Sequence, residues 1–194
     1  MKEDVLEQIV DDYLQLNGYF TIHNVRFKPS PDHPEFVAND DRVASDVDVV
    51  GLHPAKRGHA RVWVVSCKAW QSGFNADRRL KELRGAGRNP IRSNGSYFPE
   101  IWTPSLGDAL RREIEDRTNS KKFRYSLAVT KLKGNGEAWN EEQRIRENLG
   151  GNPFSFLTLE AMWTENLETI GTTPQPSEIG RLAQLLKAAG VTST

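Results

Sequence analysis

The sequence predicts an α/β domain with a mixed central β-sheet flanked by helices. Two observations carry this. Short β-branched runs bounded by turn formers alternate with segments whose apolar residues recur every three to four positions. Their order along the chain is a helix, three strands, and then helical segments alternating with strands, which builds a sheet with both hairpin and crossover connections.

Each element has its own local reason. Residues 4–16 form a helix: Val5, Ile9, Tyr13 and Leu16 share a face, Leu6, Val10 and Leu14 widen it, and Asn17-Gly18 stops it. Residues 19–27 alternate as a strand. Residues 29–41 hold three prolines and several acids and read as a surface loop. Residues 46–68 form a hairpin, with Pro54 and Gly58 in its loop. A helix over 75–84 ends at Gly85-Ala86-Gly87. A stronger one over 105–117 places Leu106, Leu110 and Ile114 four residues apart. A strand over 123–130, a helix over 137–149 ended by Gly150-Gly151, and a strand over 154–159 follow. Ser177 caps a final helix over 178–189. The expected organisation is one domain over 1–170, a linker at 171–176, and a C-terminal helix over 177–194 packed on the same domain.

Composition removes several function classes. The 194 residues suit one domain with a sizeable core, and five tryptophans argue against disorder. No apolar run approaches the roughly 18 residues of a membrane span, so no membrane partner is expected. The acidic, amphipathic N-terminus is unlike a signal peptide. The lone Cys67 has no disulfide or zinc partner, which fits a cytoplasmic location. His23, His33, His53 and His59 lack metal-ligand spacing, and Gly134-Asn135-Gly136 lacks the Lys-Ser/Thr of a phosphate-binding loop.

The net charge of zero hides a segregation. Residues 1–52 carry 4 Lys and Arg against 11 Asp and Glu, whereas residues 53–92 carry 10 against 2. The basic block runs through Lys56, Arg57, Arg61, Lys68, Arg78, Arg79, Lys81, Arg84, Arg88 and Arg92. A neutral protein with such a block still attracts a polyanion locally. The alternative is a solvated helix face.

The hairpin carries the chemistry. Its first strand reads Ser45-Asp46-Val47-Asp48-Val49-Val50-Gly51, and its second ends Val64-Val65-Ser66-Cys67-Lys68. Charges are rare in buried strands unless paired or metal-bound. Side chains at i and i+2 share a strand face, so Asp46 goes with Asp48 and Ser66 with Lys68. A register that sets Asp48 opposite Ser66 and Asp46 opposite Lys68 gathers two carboxylates and an ammonium in one patch. Such a patch suits a divalent metal and an activated water.

In this order of elements and residues the chain resembles the PD-(D/E)XK nuclease superfamily, which has the restriction-endonuclease-like fold. Residues 6–20 look like that family's first helix and the start of its first strand, and Glu7 matches the metal-facing Glu its helix often supplies. Asp48 looks like the motif Asp and Lys68 like the motif Lys. The departure is Ser66, where the family has Glu or Gln. The resemblance covers about the first 130 residues. It implies Mg²⁺ (or Mn²⁺) bound by Asp48, with Glu7 and Asp46 as further ligands, and Asp48, Lys68, Glu7 and Ser66 as the catalytic set. Hydrolysis of phosphodiester bonds is the implied activity, in DNA before RNA.

Alternatives stay open at each position. Asp46 is a second ligand or an ion-pair partner of Lys68, and Glu7 is a ligand or an exposed acid. Ser66 ligates through water, or Asp46, Asp77 or Glu82 supplies the missing charge, or the site is inactive. Arg78, Arg79, Arg84 and Gln71 are the expected nucleic-acid contacts. Trp70 and Phe74 either stack on bases or, for at least one of them, belong to the core. The competing function is a catalytically inactive nucleic-acid-binding or assembly subunit, and a homodimer or a partner subunit fits either reading.

Overall fold

A computed structural model describes residues 5–38, 41, 44–85, 98–175 and 177–191. Asp4, Arg88 and Arg92 lie outside them.

Helix α1 (Val5–Leu16) buries Leu6, Val10, Tyr13 and Leu14. It stops at Gly18, whose φ of 81° is the left-handed conformation that favours glycine. Strands β1 (Phe20–Phe27), β2 (Ser45–Leu52) and β3 (Val62–Lys68) follow. After them come β4 (Phe74–Asn75), α2 (Ala76–Gly85), α3 (Pro99–Trp102), α4 (Pro104–Thr118) and β5 (Arg124–Val129). The chain continues with β6 (Leu132–Lys133), α5 (Ala138–Glu141), α6 (Gln143–Asn148), β7 (Phe154–Thr158), α7 (Leu159–Thr169) and α8 (Glu178–Ala188).

The central sheet has five strands in the order β1-β2-β3-β5-β7. The β1–β2 and β2–β3 pairs are antiparallel, and the β3–β5 and β5–β7 pairs are parallel. The α/β class and mixed sheet are those the sequence predicts. Central strands β3 and β5 are buried over nearly their whole lengths, as strands covered on both faces must be. One face packs Val64, Tyr125 and Leu127 with Leu80, Ile101, Leu110 and Trp139. The other packs Trp63, Val65 and Ala128 with α1 and with Met162 of α7. Helix α8 docks on α1 through Ser177, whose Oγ accepts the Gly180 N–H at 2.9 Å and donates to Asp12 Oδ2 at 2.5 Å.

Two expectations change. The single helix over 137–149 is two short helices, broken at Glu142, whose ψ of 113° is extended. Trp139 and Ile145 are both fully buried, yet six residues along a straight helix place them about 120° apart; the break lets both face the core. The strand expected to run to Leu159 ends at Thr158, whose Oγ1 accepts the Ala161 N–H at 3.2 Å and starts α7. Among the described residues no helix is long and apolar enough to cross a membrane.

Candidate active site

The hairpin forms in the expected register: Val49 pairs with Val65, Val50 with Val64, Gly51 with Trp63 and Leu52 with Val62. The ladder ends there, one step before Asp48 and Ser66. In place of the next rung, Asp48 Oδ2 accepts the Cys67 N–H at 2.5 Å.

The neighbouring strand β1 is kinked at the same level. Asn24 lies opposite Asp48 with a φ of 51°, and the β1–β2 ladder skips that pair. Strand alternation resets across the kink. Val47 packs with Val25 and Phe27 on one side of the sheet, whereas Val49 packs on the α1 side. The i, i+2 rule therefore does not by itself fix where Asp46 lies relative to Asp48. Asp46 is exposed and Asp48 half-buried, although the charge of Asp46 still reaches Asp48.

The second carboxylate comes from an unexpected place. Ser66 Oγ donates to Oε1 of Glu100 at 3.1 Å, and the Tyr125 hydroxyl donates to the same oxygen. Glu100 sits on α3 and is only 3% exposed. Gly107 of α4 makes this placement possible, because a Cβ there would lie 2.9 Å from the Glu100 carbonyl oxygen. The sequence held one signal for Glu100. It is an acid inside the apolar run Phe98, Ile101 and Trp102, all buried, and the same reasoning singled out Asp48.

Electrostatics tie the cluster together. Burial pushes the Asp48 carboxyl above its usual range, the Cys67 N–H and Lys68 oppose this, and Asp46 adds to it. Burial likewise pushes Glu100 up, against the Tyr125 hydroxyl, Lys68 and Ser66. Burial and the Glu100 charge raise the Tyr125 phenol well above 10. Lys68, half-buried at the end of β3, thus acts on both carboxylates.

The other sequence candidates lie elsewhere. Asp77 accepts the Asn135 N–H at 3.1 Å, and Glu82 pairs with Arg78 and Arg79. Neither supplies the charge missing at residue 66. Glu7 is half-buried in the first turn of α1.

Beyond Lys68 an open groove of about 660 Å³ is lined by Gln71, Ser72, Asn75, Arg78 and Arg79. Trp70 edges it and already has ring partners: Phe74 stacks on it with ring centroids at 5.6 Å, and the Arg79 guanidinium lies 4.6 Å from the ring centre. Phe74 is core, at 1% exposed. Arg84 pairs with Glu142 at 2.8 Å.

No three side chains among the described His, Cys, Asp and Glu residues come together as a metal-holding group. Asp48 and Glu100 supply two hard oxygen donors, and Mg²⁺ requires only one or two carboxylates beside water and phosphate oxygens. Burial pushes both carboxyls up although Lys68 acts on each, and a donor pair of this kind fits a divalent cation. No family model, curated protein or solved structure matches the chain.

Proposed function

We propose that this chain is a restriction-endonuclease-like, metal-dependent nuclease that hydrolyses phosphodiester bonds in nucleic acid, DNA before RNA. One observation carries the reading: Ser66, where the motif lacks its acid, hydrogen-bonds the buried carboxylate of Glu100. The charge absent from β3 is presented from α3 instead. This removes the main reason to favour an inactive subunit.

In this reading Asp48 and Glu100 hold Mg²⁺ or Mn²⁺. The cation supplies charge neutralisation at the scissile phosphate and at the leaving oxygen. Lys68 orients the attacking water and stabilises the negative charge that builds up in the transition state. Ser66 and Tyr125 fix the Glu100 carboxylate through their shared bond to Oε1. The Cys67 N–H does the same for Asp48.

The deciding assay uses purified protein on labelled single- and double-stranded DNA and RNA, with Mg²⁺ or Mn²⁺ and with a chelator. Cation-dependent cleavage of at least one substrate is expected. No cleavage of any of the four with either cation would overturn the reading.

The groove gives a second expectation. Arg78, Arg79 and Arg84 are paired with Glu82 and Glu142, but solvent-accessible pairs are worth only about 0–1 kcal/mol. A phosphate can therefore displace them. Neutralising all three arginines should weaken nucleic-acid binding and lower the log–log salt slope by about 0.9 per lost contact on duplex DNA. A slope equal to the parent's would leave these arginines as a solvated helix face.

A further inference from the structure

We propose that the β2–β3 turn and the start of β5 form a second, separate oxyanion site that binds a phosphate group between Lys56 and Arg124. The turn folds back on Tyr19, whose hydroxyl donates to the Ala60 carbonyl at 2.8 Å. His53 packs edge-on against the Tyr19 ring at 5.0 Å, and its Nδ1 accepts the Ala55 and Lys56 N–H groups at 3.1 Å each. Lys56 is thereby held with Nζ 4.7 Å from the Tyr19 ring centre and 3.4 Å from the hydroxyl. From the other side Arg124 Nη2 donates to the same hydroxyl at 2.8 Å. Its guanidinium carbon lies 3.1 Å from the Trp63 ring centre.

Two cations therefore converge on one neutral oxygen. Among the described residues neither has a carboxylate within ion-pair distance, and the buried Arg124 Nε has no acceptor. The nearby acid, Glu165, takes its bond from Tyr13, whose phenol feels both Glu165 and Arg124. Like charges held together without a counter-ion are costly, and the arrangement calls for an anion. A phosphate dianion suits it: its several acceptor oxygens match the rigid fork of Arg and the mobile point charge of Lys. Cation–π contacts with Trp63 and Tyr19 hold the cations in place before an anion arrives. Arg57 and Arg61 in the same turn extend the positive field.

This site is distinct from the Asp48 cluster and independent of the nuclease reading. Arg124 pairs with Trp63, whereas Lys68 pairs with Val129 at the other end of β3. Five residues of strand separate the two levels by roughly 17 Å.

The test is an NMR titration of inorganic phosphate into the full chain. It follows the Trp63 indole N–H, which donates to Ser126 Oγ at 2.8 Å under the guanidinium. A saturable shift is expected. Lys56→Gln, a change at the rim of the turn, should weaken phosphate binding by about tenfold or more, and Arg124→Gln should abolish it. Lys68→Ala, which would lose a phosphate bound at the other cluster, should titrate like the parent. A parallel titration with short duplex DNA separates the sources of the phosphate. If Lys56→Gln weakens duplex binding too, the site takes a backbone phosphate. If only inorganic phosphate is affected, it takes a small phosphorylated molecule. No saturable shift, an equal shift with chloride at matched ionic strength, or an unchanged affinity in Lys56→Gln would overturn the proposal.

Discussion

Asp48→Ala should abolish cation-dependent cleavage, and Lys68→Ala should lower it by about 10²–10⁴-fold, the range of general acid–base and water-orienting help. Both variants should stay folded. Asp48 accepts the Cys67 N–H, and charge-assisted bonds contribute about 1.5–3 kcal/mol. Removing its half-buried carboxylate also removes a desolvation penalty, which offsets part of that loss. Lys68 closes no ladder rung to β2 and makes no ion pair among the described residues. Circular dichroism and thermal melts check the fold, and initial rates on the preferred substrate check the chemistry. Parent-like rates in both variants would remove the nuclease assignment. Loss of rate together with loss of fold would move Asp48 from the chemistry to the scaffold.

The hairpin was legible because its determinants are local. β-branched runs, a Pro- and Gly-containing turn and the period of two fix both the strands and the register, and Val49 to Leu52 pair as that pattern requires. The kink at Asn24 had one weak signal, an Asn inside a strand pattern, since Asn is depleted in strands and tolerates the left-handed region, but the residue type alone does not place a kink. The kink interrupts the alternation that relates Asp46 to Asp48. Glu100 was hidden for another reason. A four-residue helix has no measurable period, and the pairing of Glu100 with Ser66 spans 34 residues of sequence. Only its placement among Phe98, Ile101 and Trp102 pointed to it. The aromatic residues after Lys68 show the same limit, since their spacing could not tell that Phe74 and Arg79 would both pack against the Trp70 ring.

Moving the carboxylate tests the site most sharply. Glu100→Gln keeps the shape and an acceptor for the Ser66 and Tyr125 hydroxyls but removes the charge. Cation affinity should fall, and cleavage should drop by on the order of 10²-fold or more, the scale on which preorganised electrostatic partners act. Stability should move the other way. Burial raises the Glu100 pKa, so the folded state holds its proton more tightly than the unfolded state does. That contribution is fully present below the ordinary carboxyl range and is lost as pH rises through the raised value. At neutral pH the cation-free parent therefore carries a cost that the glutamine variant lacks. Its Tm should exceed the parent's by about 2–4 °C for each kcal/mol removed. The gap should close towards acid pH, and also with Mg²⁺, which stabilises only the parent by mass action. Ser66→Glu alone should lower activity, because the Ser66 hydroxyl lies 3.1 Å from Glu100 and two carboxyls so close cannot both ionise. The double variant Ser66→Glu/Glu100→Gln restores one acid to the strand and should cleave faster than either single variant, with cation affinity recovering in parallel by calorimetry. A double variant no better than Glu100→Gln alone would mean that the Glu100 charge serves the packing of α3 against β3 and β5 rather than a cation.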